Sequence, residues 1–154
     1  MDFLKNIFER TPISKKIGFE DMKIVLNSRI TGEYLIINTM PIHFQNNLIL
    51  GTINALVEES IINRIIDNYE MNRIKIILYG MNTQDNSPEK KSEQLASLGF
   101  TEIYIYTGGM FEWLLLQEIY SESEFPTTGK TKFSDILNYK GATLLSTVKY
   151  ITNY

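Results

Sequence analysis

The stretch Tyr79–Lys91, YGMNTQDNSPEKK, follows the apolar run IKIIL and precedes a segment with helical marks. A strand that ends in a small loop and then a helix gathers backbone N–H groups, so it suits an anion site or an activated nucleophile. The loop itself offers Gly80, Met81, Asn82, Thr83, Gln84, Asp85, Asn86 and Ser87, with no Cys, His, Arg or Lys among them. Thr83 and Ser87 are hydroxyls without an adjacent base, and Asp85 would repel an anion at short range. Lys90 and Lys91 could favour an anion only by facing the loop mouth, and lysines in a first helical turn more often face solvent. Any ligand held here would be held by backbone and side-chain amides.

Whole-chain counts narrow the chemistry. None of the 154 residues is Cys, which excludes disulfides, thiolate metal sites and a cysteine nucleophile. The single His, His43, sits in MPIHFQNN with no G-x-S-x-G motif anywhere, which argues against a Ser-His-Asp triad or a His-rich metal site. GKT at Gly129–Thr131 has Glu124 where a P-loop requires its first glycine. No cofactor is expected. A net charge of −3 argues against a general nucleic-acid binder. No apolar run reaches about 18 residues, so no membrane span is expected. MDFLKNIFER carries charges within its apolar part and lacks a small-residue cleavage site, unlike a signal peptide. These features predict a cytoplasmic protein. With 44% hydrophobic and 21% charged residues, the composition suits a folded domain rather than a disordered chain.

The elements that would position the loop can be read in order. Phe3, Leu4, Ile7 and Phe8 are at helical spacing, so residues 1–17 are expected to form a helical appendage, packed on the domain or else serving as a membrane-surface or partner-binding helix. FEDMKIVLNS predicts a short amphipathic helix with Phe19, Met22, Ile24, Val25 and Leu26, followed by a turn at Gly32. Tyr34–Asn38 predicts a buried strand, and TMPIHFQNNLILG a loop closing at Gly51. TINAL predicts a brief strand. Ile61, Ile62, Ile65, Ile66 and Tyr69 form a helical stripe, with Glu58 and Glu59 favourable near its start. After the strand RIKIILYG, Ser87 suits an N-cap, Pro88 the first helical position and Gly99 the position after the helix end. Glu102–Thr107 predicts a strand. A helix then follows two glycines, with an apolar side around Met110, Trp113, Leu114 and Ile119. Alternating strands and helices with short loops imply an α/β fold with a mostly parallel sheet, flanked by helices on both faces. In such sheets ligands sit beyond the carboxyl ends of the strands, where the loop after Tyr79 lies. Residues 18–122 are expected to make this domain, and residues 123–154 a tail that wraps it or is partly flexible.

The order of these pieces, with LILGTIN and LGFTEIYIYTGGMFEW, resembles the rhodanese-like domain over about Phe19 to Glu118. Rhodaneses show a similar Gly-x-Ile-x-Gly-Ala-x-Asn turn. Ile49, Gly51 and Asn54 match it, and Asn47, Leu48 and Thr52 depart from it. They also show a similar LGF…VY…GG…W block, here with Gly108 and Gly109 as turn residues and Trp113 as a buried ring. The resemblance implies a three-layer rhodanese-like fold. It also implies a lost active site: in active members the strand equivalent to IKIILY delivers a Cys, and here Gly80 follows Tyr79. Active members commonly end the earlier strand in Asp-x-Arg, where this chain has the neutral Asn38-Thr39-Met40. The loop is longer than the short sulfurtransferase loop and nearer that of the related cell-cycle phosphatases, which also need Cys and Arg.

The resemblance therefore implies a non-enzyme, a protein-interaction or regulatory module with an unknown protein partner. Its binding surface would be the loop mouth at Gly80–Asn86, the MPIHFQNN loop or the tail. The alternative is a binder of a small anion or phosphorylated ligand, because strand–loop–helix N–H groups need no particular side chain. Leu144, Leu145, Val148 and Ile151 stand at helical spacing and suit either packing on the same chain or self-association.

Overall fold

The structure, a computed structural model, describes residues 14–28 and 33–145. Its strands are β1 (Ser14–Ile17), β2 (Tyr34–Asn38), β3 (Lys75–Tyr79) and β4 (Ile103–Tyr106), and its helices are α1 (Phe19–Asn27), α2 (Ala55–Asp67), α3 (Ser87–Ser97) and α4 (Gly109–Ile119). Short 3-10 helices span Ile42–Phe44 and Phe133–Tyr139. The segment with Phe3 to Phe8, the Gly32 turn and the C-terminal stripe beyond Leu145 lie outside the described residues.

Four parallel strands pair in the order β1-β4-β3-β2. The register sets Asn38 beside Tyr79, so β2 and β3 end together. The central strands read as continuous apolar runs because both faces are covered. On one face Ile36, Ile77, Tyr79 and Tyr106 pack with Met22 of α1 and with Met110, Trp113 and Leu114 of α4. On the other, Leu35, Ile37, Ile76, Leu78, Ile103 and Ile105 meet Ile62 and Ile65 of α2 and Leu95 of α3. The three-layer α/β expectation holds.

Trp113 anchors the α4 side. It is fully buried, packs edge-on to Phe125 with ring centroids 4.9 Å apart, and donates from Nε1 to Pro126 O at 3.2 Å. The chain after α4 is bound to the β2–α2 connection through Thr128 N–H to Leu48 O (2.8 Å) and an antiparallel bridge between Ile49 and Thr127. Asn47 completes this joint, accepting from Gly129 N–H at 2.9 Å and donating to Thr131 Oγ1 at 2.7 Å.

Several expectations are corrected. Ser14–Ile17, assigned to a helical appendage, is instead an edge strand paired with β4, so the sheet begins before residue 18. TINAL is not a strand. Thr52 makes a single bridge to Ile36, and Asn54 caps α2 by accepting from Leu56 N–H at 2.9 Å. Tyr69 lies beyond the end of α2 at φ 55° and is exposed. Ile24 and Ile119 also face outward, although their spacing fits the buried stripes, because each helix buries only a narrow strip on the sheet.

Replacing Trp113 with Ala removes the ring at the centre of the α4 layer. We expect Trp113→Ala to lower the free energy of unfolding by about 3–5 kcal/mol in urea titrations.

Candidate functional site

The coincident ends of β2 and β3 place two loops side by side. Thr39 N–H donates to Tyr79 O at 2.9 Å, extending the ladder one residue past the strands. The Thr39 hydroxyl lies 2.7 Å from Ser87 Oγ, and Ser87 Oγ also reaches Thr39 O at 3.2 Å. Ser87 is therefore the first residue of α3 and a strut to the neighbouring loop, not the N-cap. Pro88 correspondingly takes the second helical position, and Gly99 follows the end of α3 at φ 104°, as expected.

One backbone N–H at the start of the loop and one at the start of α3 are engaged by Asp85. Its Oδ2 accepts from Met81 N–H and its Oδ1 from Ser87 N–H, both at 2.9 Å. The carboxylate is itself an anion held by these two N–H groups. A carboxylate before the first turn of α3 also complements the helix dipole.

Gly80 lies directly beneath this carboxylate. A Cβ at Gly80 would overlap Asp85 Oδ2 and come within 2.9 Å of Asp85 Cγ and 3.2 Å of Pro88 Cγ. Asp85 cannot swing aside without losing two hydrogen bonds, so this placement of the aspartate requires a glycine at position 80. From below, α4 fixes the loop: Met110 N–H donates to Gly80 O at 2.9 Å and Phe111 N–H to Met81 O at 2.8 Å. These bonds use orphan donors of the α4 N-terminus. Gly109, at φ 68°, permits the approach, since a Cβ there would be 2.8 Å from both Asn82 N and Gly80 O. From the C-terminal side, Asn82 Nδ2 donates to Tyr139 O at 2.8 Å.

The loop mouth opens into a cleft of about 570 Å³, lined by Thr39, Pro41, Met81, Asn82, Gln84, Asp85, Ser87, Ala142 and Leu144. Among the loop residues singled out in the sequence, Gly80 is buried under Asp85, while Thr83 and Asn86 are exposed and do not line the cleft. Pro41 and Ala142 carry no sequence signal for a site. Thr39, read in the sequence only as a missing charge, connects the two loops. Lys91 points elsewhere, pairing with Glu58 of α2 at 3.0 Å, and Lys90 is exposed.

Among the described residues, no acidic or basic side chain bonds the Ser87 hydroxyl. The partners of the Ser87 hydroxyl are the hydroxyl and carbonyl of Thr39, and His43 is exposed with its ring against Phe44. Among the described residues no three His, Asp or Glu side chains could share a metal ion. Among the same residues no helix is long and apolar enough to cross a membrane.

Tyr79 fixes the floor from within the core. Its hydroxyl accepts from Ile49 N–H at 3.1 Å and lies 2.8 Å from Thr52 Oγ1. Burial pushes this phenol well above its ordinary range, against the lowering effect of those two contacts. Tyr106, bonded to Glu112 Oε1 at 2.7 Å, is raised chiefly by burial as well.

No protein-family model matches the sequence, and no curated protein matches it significantly. Solved structures do match. The crystal structure of the Alr3790 protein from Anabaena sp. aligns with a TM-score of 0.54 at 20% identity, covering 80% of this chain and 100% of that one. The solution structure of the rhodanese-like domain from the same Anabaena protein gives 0.52 at 20% identity, covering 86% of each chain. A thiosulfate sulfurtransferase from Pseudomonas aeruginosa gives 0.53 at 13% identity, over 82% of this chain and 23% of that one. The fold is thus the rhodanese-like one, in a chain without cysteine.

Two outcomes test this geometry. Gly80→Ala should cost about 1–3 kcal/mol through overpacking, and much less in an Asp85→Ala background. A double-mutant cycle by chemical denaturation measures that coupling. For the phenols, the neutral form is the one favoured by folding. Their contribution is complete below the unfolded-state value of about 10 and is lost as pH rises through the higher folded value. Stability should therefore fall above about pH 10, by up to about 1.4 kcal/mol per pH unit for each buried phenol, and less steeply in Tyr79→Phe.

Proposed function

We propose that the chain is a non-catalytic rhodanese-like domain, a pseudoenzyme that serves as a protein-interaction or regulatory module in the cytoplasm. The observation that carries this reading is the closure of Asp85 over Gly80. At the strand end where the sequence resemblance puts a cysteine there is no side chain, and two N–H groups of the loop, those of Met81 and Ser87, bind the chain's own carboxylate. This support runs against the small-anion alternative, because an incoming phosphate or sulfate would have to displace Asp85 from both N–H groups and then remain beside its charge.

What the loop mouth keeps is a rigid frame. It is held to β2 through Thr39 and Ser87, to α4 through the Gly80 and Met81 carbonyls, and to the C-terminal 3-10 helix through Asn82. A frame fixed on three sides presents Met81 and Gln84 to the cleft in one arrangement, which limits the ordering cost of binding a partner.

Purified protein should show no turnover in thiosulfate:cyanide sulfurtransferase and phosphatase assays. Gly80→Cys should stay inactive as well, because the added side chain meets Asp85. Turnover by the unmodified protein would sink the non-catalytic reading. In affinity capture from the native cell, Met81→Ala and Gln84→Ala together should release partners that the unmodified chain retains. Retention of every partner would exclude the loop mouth as the binding surface.

A further inference from the structure

We infer that the cleft at the loop mouth receives a cationic peptide segment of a partner protein, a lysine or arginine flanked by apolar side chains. The inference rests on the interaction-module reading and specifies the partner's chemistry at the same site. It follows from the charges and surfaces around the cleft. Its lining includes one carboxylate, Asp85, and no Lys, Arg or His. Each Asp85 oxygen accepts one backbone N–H, whereas an ionised carboxylate offers about four lone-pair sites. About half of its accepting capacity remains for an ammonium or guanidinium group.

The magnitudes keep the site negative. The α3 N-terminus contributes the equivalent of about +0.5 charge, against the full negative charge of Asp85. Lys91 is paired with Glu58 at 3.0 Å, and the exposed Lys90 and Lys140 do not line the cleft. Pro41, Met81 and Leu144 supply apolar walls beside the carboxylate, and the exposed Gln84 supplies an amide at the rim. An apolar residue next to a lysine or arginine matches both surfaces. A phosphorylated peptide does not match the charge, and it would meet Met81 and Ser87 N–H groups that Asp85 already holds.

The experiment uses the isotope-labelled full chain and three probes at millimolar concentration: the capped tripeptide N-acetyl-leucyl-lysyl-leucinamide, its glutamyl counterpart, and inorganic phosphate. The amides of Met81, Asn82 and Ser87 are followed by NMR. The expected result is a saturable shift with the lysyl peptide, binding about fivefold weaker or worse for the glutamyl peptide, in line with one partly exposed ion pair, and no response to phosphate. Asp85→Asn should abolish the lysyl preference. Because that change could disturb the loop, Gln84→Lys provides a second test: it places a cation at the rim without touching the Asp85 contacts and should weaken the lysyl peptide to a similar extent. Equal binding of the two peptides, a response to phosphate, or no peptide response would overturn the inference. So would shifts that depend on protein concentration alone, which would assign the cleft to a second copy, or a lysyl response seen only after removal of residues 146–154, which would assign it to the chain's own tail. If the inference fails while Met81→Ala and Gln84→Ala still release captured partners, the interaction-module reading stands. If those partners are retained as well, the loop mouth is excluded under both.

Discussion

The Asp85 carboxylate spans the turn between β3 and α3, one oxygen on Met81 N–H and the other on Ser87 N–H, and it does so over a residue without a side chain. The rest of the site depends on this arrangement. The two N–H bonds fix the exit angle of the strand and the entry angle of the helix. With the loop closed, the carbonyls of Gly80 and Met81 turn toward α4 and receive its first free N–H groups. Gly109 is needed because that approach leaves no room for a Cβ. A charged side chain bonded to two backbone donors at a helix start resists displacement, since opening the loop would expose the donors and remove the carboxylate from a favourable dipole.

This constraint separates scaffold from chemistry. A parallel sheet with ligand-facing loops at its carboxyl ends survives on packing alone: Trp113, Phe125, Tyr79 and Tyr106 would hold the layers together whatever the loop contained. Catalysis on the same frame needs a nucleophile and free N–H groups at one point. Here β3 is followed by Gly80, which carries no side chain, and the Met81 and Ser87 N–H groups are committed to Asp85. The neutral Asn38-Thr39-Met40 segment fits the same pattern. Met40 is buried in the core, Asn38 accepts from Met40 N–H at 3.2 Å, and Thr39 bonds Ser87, so positions that could have carried charge instead stabilise the loop pair.

Much of the fold was legible because its signals are local. The runs LIIN and IKIIL mark strands covered on both faces, and Gly99 marks a helix end through its positive φ. The end of a strand just before Gly80 was legible as well. What the sequence did not reveal depends on contacts across the fold. Ser87 reads as a cap because Ser before Pro often is one, but Thr39 draws its hydroxyl across to the neighbouring loop. Ser14–Ile17 has too few apolar residues to read as a strand and becomes one by pairing with β4. Asp85 reads as a repulsive charge in an open loop, and only the loop's curvature shows it bound to two N–H groups. Ala142 joins the cleft through the path of the chain after the last 3-10 helix, which no periodicity encodes.

The central claim is that one carboxylate closes the loop between β3 and α3 by holding the Met81 and Ser87 N–H groups. Amide hydrogen exchange in the full chain tests it most directly. The account predicts that Asp85→Ala accelerates exchange at Met81 and Ser87 by about tenfold or more, the equivalent of one lost hydrogen bond, while Ile77 and Ile105 in the sheet stay protected. Unchanged exchange at Met81 and Ser87 would contradict it.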